Sequence, residues 1–219
     1  MELTFLHRDA SCVVVNKPSG VIVHRGLAAD EDDVMRAVRN RLRMHVYPVH
    51  RLDRGTSGAL VFALSPEAAR VLGKSFEEGR VDKRYWAITR GKPQDGEIDH
   101  PIQKREGGPR VAATTHVRTL AVAGRYALVE ANPRTGRLHQ VRRHLKHVSC
   151  PIIGDTNYGK GEHNRYFREH YGLHRLALHA ISISFDQPET GARLQVQAPL
   201  EGSLLRTLGA LGFPTAWVR

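Results

Sequence analysis

The chain has 219 residues, enough for one well-buried domain, and sets 33 Lys+Arg against 22 Asp+Glu for a formal net charge of +11. That excess makes a polyanion the first partner to consider, because neutralising phosphates releases counterions. Two cysteines set no disulfide framework, no Cys-x-x-Cys or His-Glu-x-x-His gives metal-ligand spacing, and no apolar run approaches the ~18–20 residues that span a bilayer. Arginine outnumbers lysine 26 to 7, and guanidinium suits bidentate phosphate contacts and stacking. Met1-Glu2-Leu3-Thr4 lacks the basic-then-apolar pattern of a signal peptide, so a cytoplasmic protein outside the membrane is expected.

In chain order, Cys12–Asn16 reads as a short buried strand stopped by Lys17-Pro18-Ser19-Gly20. Asp32 and Asp33 open a helix that runs to about Met44, because acids favour the positive end of the helix dipole. Residues 59–64 form an apolar, β-prone run. Ser65-Pro66-Glu67 then has the order of an N-cap, a first-turn proline and a first-turn acid. Ala68, Leu72 and Phe76 follow at a four-residue interval, and Gly79 can end that helix. Strands are expected at 83–89, 125–131, 177–185 and 193–198, and a short helix at 201–211. Residues 91–108 and 154–172 look loop-rich. Helical and extended segments are interleaved without strict βαβ alternation, so the expected class is α+β around a central mixed, largely antiparallel sheet.

Three stretches can carry chemistry. In His50-Arg51-Leu52-Asp53-Arg54 an acid sits between two arginines, at a turn leading into a buried strand. Burial raises a carboxyl pKa and a neighbouring guanidinium lowers it; an ionised, partly dehydrated carboxylate is a useful nucleophile or base. On spacing alone, a surface ion pair is the better explanation of Asp53. Ser57 lies in Thr-Ser-Gly, which is not the Gly-x-Ser-x-Gly elbow of a hydrolase, and reads as a turn or capping residue.

The second stretch is Thr135-Gly136-Arg137-Leu138-His139-Gln140-Val141-Arg142-Arg143-His144. As a helix after Gly136, at ~100° per residue, it puts Leu138, Val141, Leu145 and Val148 on one face. His139, Arg143, Lys146 and His147 fall mostly on the other. Arg142 lies at the apolar margin, where it must snorkel or meet a buried acid, and Asp53 is the acid the sequence offers. In the third stretch, Lys83-Arg84-Tyr85-Trp86-Ala87, strand alternation separates the two rings, so one can be core while the other faces a site. An aromatic beside a basic groove can stack on an unpaired base.

Together these blocks resemble the RluA-like family of pseudouridine synthases. His50-Arg51-Leu52-Asp53 with Thr56-Ser57-Gly58 resembles its catalytic motif, Lys83-x-Tyr85-x-Ala87 its tyrosine motif, and Thr135-Gly136-Arg137-x-His139-Gln140-x-Arg142-x-His144 its third motif. Asn16-Lys17-Pro18-Ser19-Gly20 with Val23-His24, Pro151-Ile152-Ile153-Gly154-Asp155 and Leu178-His179-Ala180 also match. The blocks stand in family order across residues 16–180.

The resemblance implies an enzyme that isomerises a uridine within RNA, without cofactor or metal, as a single catalytic domain over 1–219 with no separate N-terminal RNA-binding domain. It implies Asp53 as the essential acid, Tyr85 as the ring on the uracil, and Arg142 as the partner that keeps Asp53 ionised. Arg51 would enter the RNA stack after the base flips out; His50, Arg54, Arg137 and His139 are further substrate-binding candidates. Val23-His24-Arg25, Gly161–Arg165 and Gly172–Leu176 are most similar to a tRNA-acting branch that modifies uridine 65; ribosomal RNA, or both RNAs, is the alternative. A monomer is expected. A non-catalytic RNA-binding module, a serine hydrolase and a DNA-binding protein are the competing classes.

Overall fold

A computed structural model describes residues 3–24, 33–103 and 107–216; Arg25 and Asp32 of the sequence reading lie outside them. The chain divides into two compact units, Met1–Lys83 with Ala180–Pro199, and Arg84–His179 with Leu200–Arg219.

In the first unit, β1 (Thr4–Arg8) and β2 (Cys12–Lys17) form an antiparallel hairpin. β2 is buried along its whole length and pairs antiparallel with β4 (Ser57–Ala63), from Cys12 opposite Ala63 to Lys17 opposite Gly58. A short β3 (Tyr47–Pro48) also pairs with β4. Among the described residues two helices belong here. α1 (Val34–Leu42) is capped by the Asp33 carboxylate, which accepts the Arg36 N–H at 2.7 Å. α2 (Pro66–Glu77) is capped by Ser65, whose Oγ accepts the Ala68 N–H at 3.1 Å, with Pro66 at its first turn as the sequence predicts. Ala68 and Leu72 of α2 reach a core that includes Cys12, Val14, Val61 and Ala63. The same core takes Phe185 and Val196, from β11 (Leu178–Asp186) and its antiparallel partner β12 (Arg193–Gln197). Gly58 holds φ +114°, and a Cβ there would lie 2.3 Å from the Ala180 carbonyl oxygen. Only glycine permits that conformation and that approach of two backbones.

The second unit is built on β5 (Asp82–Arg90), whose residues from Arg84 onward belong to it. β5 pairs antiparallel with β10 (Tyr126–Pro133). β10 pairs with β9 (Thr114–Ala123), and β9 with β6 (Gly96–Asp99). A ribbon of β7 (Ile102–Gln103) and β8 (Arg110–Val111) stands apart. On the side of β5 away from β10, Ile88 donates to Ala177 O and accepts from Ile153 N, so 151–153 and 177 lie along that strand. α3 (Gln140–His147), α4 (Gly161–Tyr171) and α5 (Gly202–Ala210) complete the unit.

The α+β class and the dominance of antiparallel pairing match the sequence reading. Three local expectations are corrected. Ser57 is the buried first residue of β4, not a turn residue. Residues 161–171, read as loop, are a helix closed by Gly172 in the left-handed conformation. Leu138 lies outside α3 and is 50 % exposed, because the helix starts only at Gln140.

Candidate active site

In the first unit the turn 50–56 carries Asp53. Thr56 N–H donates to the Asp53 carbonyl at 3.0 Å and closes the turn directly before β4. The 17–21 segment pins it from below. Lys17 is fully buried, and its ammonium donates to the carbonyls of Pro18, Val21 and Arg54 at 2.9, 2.6 and 3.2 Å. Gly20 N–H donates to Arg54 O, Arg54 Nε returns a bond to Gly20 O, and Ser19 Oγ donates to Gly55 O at 2.6 Å. A buried ammonium survives only with such partners, so Lys17 clamps the two loops together. The sequence marked Lys17 as a strand stop and a family match but gave it no role; a lysine directly after the buried run Cys12–Asn16 was the available signal.

His50 holds the other end of the turn. Its Nε2 accepts the Val61 N–H at 3.0 Å, and its ring stacks on Phe76 at 4.6 Å. Burial, with the Lys83 charge adding to it, pushes the imidazole down to about 3. A neutral ring is what an Nε2 acceptor requires. His50 therefore anchors the turn to the strand. Asp53 is half-buried, while Arg51 and Arg54 on either side are exposed. A carboxylate set on a rigid turn and fringed by guanidinium groups suits chemistry on a polyanion.

In the second unit, Arg142 on α3 is buried and grips Asp155 with two bonds, Nε to Oδ2 at 2.8 Å and Nη2 to Oδ1 at 2.9 Å. Asp155 Oδ1 also accepts the backbone N–H groups of Asn157 and Tyr158. Burial alone would lift the Asp155 carboxyl; the Arg142 guanidinium and those N–H groups outweigh it and hold it below the usual range. Asp155 is a buried acid that the sequence reading, which paired Arg142 with Asp53, did not weigh. The Arg142 guanidinium also lies over the Tyr158 ring, 5.1 Å from its centre. His139 Nδ1 meets Tyr158 OH at 3.1 Å.

His139 holds φ 55°, a left-handed conformation uncommon for a non-glycine residue. The Gln140 side chain explains where α3 begins. Its Oε1 accepts from Thr135 Oγ1 and Arg137 N, and its Nε2 donates to Thr114 O and Thr115 Oγ1. Thr115 Oγ1 then donates to Nδ1 of the fully buried His144, whose Nε2 donates to His100 O. Arg137 is exposed, with Nε on Ala112 O. On β5, Trp86 is core and Tyr85 is half-buried, which separates the two rings as alternation predicts.

One cluster among the described residues brings His7, Asp9 and Cys12 ligand atoms within 4.8 Å. Asp9 Oδ1 accepts from Ser11 N, Ser11 Oγ and Cys12 N; Oδ2 meets His7 Nε2 and Gln187 Nε2. These bonds use the lone pairs a metal needs, and burial pushes the Cys12 thiol up to about 12. The cluster acts as a clasp on the β1–β2 turn. No helix among the described residues is long and apolar enough to cross a membrane.

In the first unit, a carboxylate on a clamped turn with exposed guanidinium groups on either side suits an enzyme that acts on a polyanion. Comparison with known proteins specifies it. Residues 11–147 match the family model described as RNA pseudouridylate synthase, and the chain belongs to that family. It is 40 % identical over 224 residues to tRNA pseudouridine synthase C of Haemophilus ducreyi, covering 92 % of each chain. It is 40 % identical over 236 residues to tRNA pseudouridine synthase C of Salmonella typhimurium, covering 96 % of this chain and 90 % of the relative. The solved structure of human RNA pseudouridylate synthase domain containing 4 superposes with a TM-score of 0.80 at 29 % identity, covering 97 % of this chain and 94 % of that one. The protein is thus an RNA pseudouridine synthase, an isomerase whose substrate is RNA.

Proposed function

We propose that this protein converts one uridine of tRNA, position 65, to pseudouridine, acting in the cytoplasm as a monomer and a single catalytic domain. The observation that carries the tRNA reading is the 40 % identity, over about nine-tenths of each chain, to relatives named for tRNA. The +11 charge and the arginine excess support a polyanionic substrate.

In this reading Asp53 is the catalytic carboxylate. It acts on the ribose while the C1′–N1 bond breaks, the uracil turns, C5 joins C1′, and the C5 proton leaves as N1 gains one. Tyr85 stacks on the uracil, and Arg51 fills the gap left by the flipped base. His50 and Lys17 position the turn. Arg142 and His139 brace the segment around Asp155 and Tyr158; Arg54 and Arg137 meet phosphates.

Tritium release from C5-labelled transcripts tests the reading. Release from tRNA, abolished by changing only the base at position 65, is the expected result. Release from ribosomal RNA instead overturns the substrate, and no release from either overturns the function.

A further inference from the structure

α4 presents an aromatic column that the proposed chemistry does not use. Its buried face is His163, Asn164 and Phe167, whereas Tyr166 points outward and is 39 % exposed. The His170 ring lies on Tyr166 at 4.2 Å and 28°, and Tyr126 of β10 lies parallel to Tyr166 within 13° at 6.3 Å. The column is held in place. Phe167 meets Tyr126 edge-on at 4.7 Å, Tyr126 OH donates to His163 Nδ1 at 3.0 Å, and His170 Nδ1 donates to the Tyr166 carbonyl. Three rings in register with one end in solvent waste apolar area unless something adds to the stack.

The surroundings are cationic. Arg165 and Arg168 are exposed on the same helix, and Lys160 precedes it. Arg125 stands beside Tyr126 and, with Arg90 and Lys160, lowers the pKa of His163, to which burial contributes first. Glu162 and Glu169 offset the two arginines of the helix, and Lys160, Arg125 and Arg90 around it make the positive surplus. Aromatic rings interleaved with arginines are the chemistry that holds unpaired nucleotides: a π-face for the base and guanidinium for the phosphate. The helix is also tied to the active-site segment. Asn164 Oδ1 accepts Gly154 N–H, and its Nδ2 donates to the carbonyl of Asp155, the acid that Arg142 grips.

We propose that the Tyr166–His170 step is a second nucleobase site, which stacks an unpaired base of the RNA substrate other than the uridine being isomerised, with Arg165 and Arg168 on its phosphates. It rests on the reading that the substrate is RNA, and it adds a recognition element to the chemistry at Asp53.

The test is RNA affinity of the whole protein with Tyr166→Leu, Tyr166→Phe and Tyr166→Trp, each checked for unchanged near-ultraviolet dichroism. The probes are the tRNA and a short single-stranded RNA carrying 2-aminopurine. Stacking predicts that Tyr166→Leu weakens binding about 5- to 100-fold, the range a base–aromatic contact commands, while Phe and Trp keep it and 2-aminopurine is quenched only where a ring remains. Equal affinity for all four proteins overturns the site. Equal weakening in Leu, Phe and Trp also overturns it, because the hydroxyl and not the ring would then be responsible. Failure of wild type to release tritium from any RNA refutes the proposed function instead, leaving the affinity series to judge the stack.

Discussion

Asp53 and Asp155 both belong to arginine-rich surroundings, yet their environments differ sharply. Asp155 is 1 % exposed and its oxygens accept from Arg142 and two backbone N–H groups. Asp53 is half-buried, on a turn whose rigidity comes from its neighbours: Lys17, His50, Gly20 and Ser19 bond the backbone around it. A carboxylate saturated by its fold is held in one protonation state and serves architecture. The bonds of Lys17, Gly20 and Ser19 to the backbone around Asp53 fix the turn that carries it.

The sharpest way to break this comparison is at Arg142. Arg142→Met leaves a buried carboxylate without its cation, which costs about 3–5 kcal/mol, read as a shift in urea midpoint at constant slope. A change below ~1 kcal/mol would mean that Asp155 finds other support. The pair also sets an acid limit. The folded Asp155 pKa lies below 3.8, so its contribution is complete above that value and disappears as pH falls through the depressed one. Asp155→Asn should flatten the stability profile there.

Gly154 tests the same segment by shape. At φ +78°, an added Cβ would sit 2.0 Å from the Arg175 carbonyl oxygen, so Gly154→Ala should cost about 2–4 kcal/mol. Its thermal midpoint reports this, and an unchanged midpoint would deny the close approach.

On the Asp53 side, His50→Leu strands the Val61 N–H and should cost about 1–3 kcal/mol. The folded imidazole pKa is near 3 against 6.5 unfolded. Its stabilisation is therefore complete above 6.5 and lost as pH falls toward 3, and the variant should lose that slope. A wild-type profile flat between those values would contradict a neutral anchoring role.

The smallest effect is expected at Ser57, which is buried at the start of β4. Ser57→Ala should change turnover far less than the ~10²-fold that losing a catalytic group costs. A larger loss would revive the hydrolase reading.

The parts of this molecule legible in the sequence are those where local chemistry and tertiary burial agree. Ser65-Pro66-Glu67 capped α2 as expected, and the unbroken apolar run of β2 was a fully buried strand. α4 was hidden because Gly-Glu-His-Asn-Arg has no apolar stripe until Phe167, and its buried face uses His163 and Asn164 as hydrogen-bonding residues. β9 was missed because its inward Thr115 and Val117 alternate with His116 and Arg118 in a mixed polar stretch. The start of α3 was displaced by the Gln140 side chain, a contact across the β9 turn that periodicity does not register. Asp53, Tyr85 and Arg142, the proposed catalytic residues, were legible as motif positions. Asp155 and Lys17 were not assigned roles, since each owes its role to partners that the fold supplies.

The most direct test of the central claim compares Asp53→Asn with wild type for tritium release from C5-labelled tRNA, with urea unfolding and RNA affinity measured on the same preparations. The expected result is a loss of at least about 10²-fold in rate with stability and affinity close to wild type. Release at the wild-type rate would show that Asp53 is not the acid that carries the reaction.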